Sequence, residues 1–330
     1  MKRAARTAQV CALLLCVVGI SRAAIGATII TFDPPGSLST YPDSVNALGT
    51  VTGFYADSSG THGFLRTADG TITSFDASGN NGTSPMGVNN KGVVTGSFPV
   101  SKHHVDGFIR SSDGAIATFA FGRSTEAIAI NDKGIITGFY YLSGTQRAKA
   151  WGFVRKADGT MKSFQLSGAI DTYPRAINEA GIVTGNYLDS TRISHGFVRG
   201  NGTVTSFDPP GSIGTSASGI NKAGVIAGTY EDSQKAYHGF IRTADGTFTS
   251  FDPAKSAGTF VTGINDKGIV AGSYLDGSSV EHGFLRTVDG KFKTFDPSGS
   301  TSTEPQAIAA GYITGFYGNN NVEHGFLRTQ

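Results

Sequence analysis

Cysteine is almost absent from this chain. Of 330 residues only Cys11 and Cys16 are cysteine, and both fall within the first 27. From residue 28 onward no disulfide, thiol nucleophile or thiolate metal site can form. Charge is scarce as well. Lys and Arg total 27 against 25 Asp and Glu, a net charge of +2, and charged residues are 16% of the chain. That balance argues against a broad basic surface for nucleic acid. After Ile20 no apolar run approaches the ~20 residues of a membrane-spanning helix. No segment combines helical periodicity with caps and length. A Gly-x-Ser-x-Gly nucleophile turn, phosphate-binding loops and His-x-x-x-His zinc spacing are all missing.

The one long apolar run is at the start. Lys2 and Arg3 precede Val10 to Ile20, and small residues follow: Ser21, Ala23, Ala24, Gly26 and Ala27. This reads as a secretory signal peptide over residues 1–27, cleaved after Ala23 or Ala27. Leu15 stands before Cys16, where a lipid-attachment site needs a small residue. The expectation is a secreted protein, extracellular or periplasmic, with no membrane span.

Glycine, at 46 residues, is plentiful, and so is repetition. The pattern His-Gly-Phe-aliphatic-Arg occurs at His62, His195, His238, His282 and His324, and with an altered first residue at Asp106 and Trp151. Its glycines lie at 63, 107, 152, 196, 239, 283 and 325, steps of 42 to 45 residues. Each repeat reads as four short β-runs joined by Asn-x-x-Gly and x-Asp-Gly turns, where Gly supplies positive φ. Four antiparallel strands in about 44 residues match one propeller blade. Seven third strands occur, but only six fourth strands follow them. The missing one is Thr28 to Asp33 (TIITFD), which matches Thr71 to Asp76 (TITSFD). The fold class expected is all-β: a single seven-bladed β-propeller domain over residues 28–330, with the N-terminal strand closing the last blade. Such closure removes an open sheet edge.

On these residues the chain resembles the HAF-repeat family of extracellular bacterial proteins, named for a His-Ala-Phe core. Here the core is His-Gly-Phe, preceded by elements such as Ile264-Asn265-Asp266-Lys267-Gly268 and Val270-Ala271-Gly272. The resemblance spans residues 28–330. It implies a secreted β-repeat protein and transfers no catalytic residue.

Residues present in every blade are expected to serve what every blade needs. Phe64 and its equivalents should pack between blades, and the Gly before each should let a neighbouring strand approach. The seven Arg, from Arg66 to Arg328, read as exposed support for a turn. The five His should hydrogen-bond Asp57, Asp189, Asp232 and Asp276 across a hairpin loop, a structural role; one His per blade does not converge into a metal site.

Departures from the repeat carry more information about function. Lys102, His103 and His104 replace the usual loop in blade 2, and Arg147, Lys149 and Trp151 replace it in blade 3, with Arg123 in the linker between. This basic patch with one aromatic suits an anionic or sugar ligand. Five residues before each turn Asn stand Tyr41, Ser84, Glu126, Tyr173, Ser216 and Phe260, with Glu304 equivalent in the degraded seventh copy; Arg175 lies two beyond Tyr173. Around a channel mouth, Glu126 and Glu304 could form a glycosidase-like carboxylate pair. The reading that follows is a non-catalytic binding propeller. It is monomeric and needs no cofactor or metal. Its partner is an extracellular polymer or protein, not nucleic acid, bound on the long-loop face. The alternative is an extracellular polysaccharide hydrolase or lyase using Glu126 and Glu304, with His103 or His104 assisting.

Overall fold

A computed structural model describes residues 27–77, 79, 82–142 and 149–329. The expected signal peptide, residues 1–27, lies outside the described residues except for Ala27. The described chain forms seven four-stranded antiparallel sheets around one axis, the expected seven-bladed β-propeller. Blade 1 is Ser39–Val45, Val51–Ala56, Thr61–Arg66 and Ile72–Phe75. In each blade the first strand is innermost and the fourth outermost. Blade 7 takes Ser302–Ala309, Tyr312–Asn319 and Val322–Thr329 from the C-terminal end, and its outer strand is Ile29–Phe32. The register Phe32↔Gly325 repeats Phe75↔Gly63 in blade 1, so the N-terminal strand closes the ring as the repeat count requires.

The core lies between blades. Phe64, Phe108, Phe153, Phe197, Phe240, Phe284 and Phe326 are fully buried. Each meets the outer-strand Phe of the preceding blade edge-on, as Phe75 does with Phe108 at 5.9 Å. The Gly before each buried Phe accommodates the outer-strand ring of its own blade, so the close approach expected of a neighbouring strand is made largely by that strand's Phe side chain. A Cβ at Gly107 would sit 2.6 Å from the Phe119 ring of its own blade.

The seven Arg differ from the sequence reading. Arg66, Arg110 and Arg328 are buried, and every one of the seven guanidinium groups lies 4.7–5.0 Å from the centre of the preceding blade's outer Phe ring. The pairs run from Arg66 over Phe32 to Arg328 over Phe295. A planar guanidinium desolvated on an aromatic face contributes about 0.5–2 kcal/mol. Spacing to the turn suggested a local role, whereas the partner is one blade away in space.

A second belt runs around the ends of the inner strands, at the level of the Arg residues. Asn46 Nδ2 donates to Asn89 O at 2.9 Å, Asn89 to Asn131 O, Asn131 to Asn178 O, Asn178 to Asn221 O, Asn221 to Asn265 O and Asn265 to Ala310 O. Each Asn Oδ1 meanwhile accepts backbone N–H groups of its own turn, as Asn46 does from Thr50. At the seam between blades 7 and 1, where no Asn is available, the Tyr312 ring packs against Gly49.

Asn131→Ala removes the link to Asn178 and two turn bonds, from Lys133 N and Ile135 N. It should cost about 2–4 kcal/mol in urea unfolding; a loss below about 1 kcal/mol would show that the belt is dispensable. Deleting residues 27–33 removes Phe32 and opens the third strand of blade 7. The shortened chain should melt well below the full one and associate through that edge, which calorimetry and light scattering would detect.

Candidate binding site in the channel and on the long-loop face

Every inner strand carries a bulge. The pairing skips one residue in each blade: Asp43, Met86, Ile128, Arg175, Ser218, Thr262 and Gln306. The cause is visible in the adjacent strand. A Cβ at Gly138 would lie 1.9 Å from Glu126 O, and the equivalent contacts at Gly53, Gly96, Gly185, Gly228, Gly272 and Gly315 are 2.0–2.2 Å. Only Gly lets the bulged backbone approach so closely. The seven bulge residues all line the central channel.

The channel has two chambers. The upper, about 550 Å³, is walled by the bulge residues, Ser44 and Ser216. The lower, about 310 Å³, is walled by the Asn belt with Asp132, Glu179, Asp266 and Lys267. Val45, Val88, Ile130, Ile177, Ile264 and Ile308 border both and form an apolar collar between them.

The upper chamber holds one carboxyl and one guanidinium. Asp43 Oδ2 is shut from solvent and has no hydrogen-bond partner. Burial pushes the Asp43 carboxyl up to about 8. Arg175 reaches water in the lumen but is walled by protein on most sides, and that desolvation lowers its pKa. A guanidinium remains charged throughout the ordinary pH range.

The carboxylates named from the sequence are not brought together as a pair. Glu126 is on blade 3 and Glu304 on blade 7, with two blades between them one way round and three the other. Glu126 accepts a hydrogen bond from Ser97 Oγ at 2.7 Å. Glu304 is half-buried; burial, then the charges of Glu281 and Glu323, raise its carboxyl to about 7.

The loop residues gather on the expected face. Lys102 and His103 form the exposed tip of the Val94–Ser101/His104–Arg110 hairpin, and Arg123 and Lys149 are exposed in the loops that precede Ser124–Ile130 and Ala150–Arg155. His104 Nε2 lies 2.8 Å from Asp106 Oδ1, an electrostatic contact without linear hydrogen-bond geometry. Arg147 lies outside the described residues. Trp151 is half-buried and packs against the blade 3 core, opposite Tyr140. Tyr173 meets the Phe139 ring edge-on at 5.1 Å and shares a hydrogen bond with Tyr141.

The five His take a role the sequence showed only in part. Four approach the expected loop Asp at 3.3–3.6 Å through Nε2. The stronger partner is the Asp after each outer-strand Phe: Asp76, Asp208, Asp252, Asp296 and Asp33 accept from Nδ1 at 2.7–3.0 Å. The Asp76 hydrogen bond raises the His62 pKa. At His238 and His282 burial opposes protonation, but the flanking carboxylates outweigh it and the net shift is upward. The signal was present in the sequence. Where the His is replaced, by Asp106 and Trp151, the later Asp is replaced too, by Ala120 and Gln165. Among the described residues no cluster of three or more His, Asp, Glu or Cys is placed to hold a metal.

No family model and no curated protein matches the chain. Solved structures do resemble it. A streptogramin B lyase structure superposes with a TM-score of 0.62 at 14% identity, over 92% of this chain and 98% of that one. Virginiamycin B lyase from Staphylococcus aureus gives 0.60 at 12%, over 92% and 99%. Puromycin hydrolase gives 0.61 at 12%, over 89% of this chain and 52% of that one. Such identities establish a shared fold.

The raised Asp43 pKa has a consequence for stability. Its folded value, about 8, exceeds its ordinary 3.8, so its contribution is full below about pH 4 and is lost as pH rises through 8. Asp43→Asn should therefore melt higher than the parent at pH 8, by about 2 °C or more, with the gap closing towards pH 4. Identical melts at pH 8 would mean that the carboxyl is fully hydrated.

Proposed function

We propose that this protein is a secreted, non-catalytic binding propeller. It takes an extracellular polymer, carbohydrate foremost, on the long-loop face over the channel mouth. The observation that carries this reading is where the non-repeating residues fall. Positions needed for folding recur in nearly every blade, whereas the seven bulge positions carry seven different side chains and all face one lumen. The loops of blades 2 and 3 depart from the repeat on the face where that lumen's inner strands begin, and they add Lys102, Arg123 and Lys149. A fold does not require such departures, and loops on a rigid scaffold are common ligand sites. The leader-like N-terminus and the likeness to HAF repeats support secretion.

One observation favours a second reading. A carboxyl raised to about 7, as at Glu304, suits general acid–base chemistry near neutral pH. An extracellular polysaccharide hydrolase or lyase would use it. The proteins of similar fold are named as lyases and a hydrolase, but at 12–14% identity no residue of theirs carries over.

A glycan array probed with residues 28–330 tests both readings. Saturable binding is expected, and joint Ala substitution of Lys102, Arg123 and Lys149 should weaken acidic glycans about tenfold or more. Undiminished binding would remove the patch from the site. Chain shortening of a bound glycan that disappears in Glu304→Gln would establish the second reading instead.

A further inference from the structure

Four features of the upper chamber belong together. It lies on the long-loop side of the collar of Val45, Val88, Ile130, Ile177, Ile264 and Ile308, which also borders the lower chamber. At about 550 Å³ it is the size of a small-molecule site. Its wall carries one permanent cation, Arg175, and among the described residues no ion pair involves it or Asp43. The two sit on blades 4 and 1, three steps apart and thus as far separated as a ring of seven permits. Between them stand the neutral polar Ser218, Thr262 and Gln306 one way round and the apolar Met86 and Ile128 the other, with Ser44 beside Asp43.

We infer that the upper chamber binds one small hydroxy acid of the sugar-acid class, its carboxylate held by Arg175 and its hydroxyls by Asp43 and the neutral polar residues of the wall. The inference deepens the reading of the protein as a binding propeller by naming a ligand for its channel, and it is independent of what the outer loops hold.

A guanidinium in a confined, partly desolvated lumen is a strong, directional partner for a carboxylate. Asp43 Oδ2 is shut from solvent, so a ligand hydroxyl meets this carboxyl at its other oxygen. Asp43 is protonated below about pH 8, so it can donate and accept without repelling the ligand's charge. Ser218, Thr262 and Gln306 line one side of the chamber and Met86 and Ile128 the other, which matches a molecule with a hydroxylated edge and a less polar face. An apolar ligand would strand these groups, and a second cation would meet Arg175.

Other charged groups are set apart from the chamber. Asp132, Glu179, Asp266 and Lys267 lie below the collar. Glu126 and Glu304 stand at the start of the inner strands, and Tyr173 is the group that acts electrostatically on Arg175. Ionisation of Asp43 is therefore the change inside the chamber as pH rises, and it repels a bound acid.

Isothermal titration of residues 28–330 with D-glucuronate and D-galacturonate, against D-glucose, tests the inference. At pH 6.5 one acid per chain should bind, and glucose at least about tenfold more weakly, the value of one charge-assisted contact. Arg175→Gln should lose about tenfold or more, and Arg175→Lys less. Asp43→Asn should keep the pH 6.5 affinity and abolish the fall that the parent shows at pH 9. Melting curves of each variant show that it is folded. No saturable binding of either acid, equal affinity for glucose, or undiminished binding in Arg175→Gln overturns the inference. A polymer bound through Lys102, Arg123 and Lys149 with no acid in the chamber would leave the broader reading standing alone. Acid in the chamber with no glycan bound on the array would do the reverse.

Discussion

The ring depends on a contact repeated at every seam: an outer-strand Phe that serves two blades. Its ring fills the space over a Gly of its own third strand and receives the Arg of the next blade. Phe119 shows both, over Gly107 and beneath Arg155 at 4.9 Å. Neither blade can complete that contact alone. A single blade exposes the Phe, and only the neighbour's Arg and buried Phe remove it from water, which is the main source of stability in such an array. The last seam obeys the same rule because Phe32 arrives from the opposite end of the chain to meet Arg66. Closure is therefore built from the same chemistry as every internal joint.

The Asn belt does for the inner strands what the Phe–Arg contacts do for the outer ones. An amide has both donors and an acceptor, so one side chain can cap its own turn and reach the next blade's carbonyl. Together the two belts leave little freedom in how the blades are set. The glycine facing each bulge then adds a consequence that concerns function. Because Gly138 and its equivalents admit a bulged backbone, one residue per blade is turned into the channel. That residue makes no ladder pair and bears no load between blades. Its identity is free to vary, and it does vary: acid, base, thioether, aliphatic, two hydroxyls and an amide.

Much of this was legible in the sequence. The period, the count of seven and the offset of the N-terminal strand all follow from matching short motifs, and the buried Phe follows from its recurrence. What misled was proximity in sequence. Five of the seven Arg lie near a turn Asp, which suggested a local and exposed role, yet every partner ring lies on the preceding blade. Four of the five His lie near a loop Asp, whereas the closer partner is 13 or 14 residues later in four blades and 291 residues earlier in the last. The paired loss of His and Asp in blades 2 and 3 was the one sequence signal for that contact. Glu126 and Glu304 were linked by equivalent position, but equivalent positions in a ring are spread around it, so equivalence argues against contact unless the blades are neighbours.

By itself, the sequence determined the architecture, because a blade is a local unit whose turns, strands and period are written in consecutive residues. It also determined which residues do not repeat. Only the tertiary structure decided which of those face a common space. That depends on bulge geometry, which inverts the ordinary alternation of a strand by one residue, and on which blades end up adjacent once the ring has closed. Asp43 and Arg175 lie 132 residues apart along the chain. They share a chamber because the inner strands bulge inward at the same level in every blade.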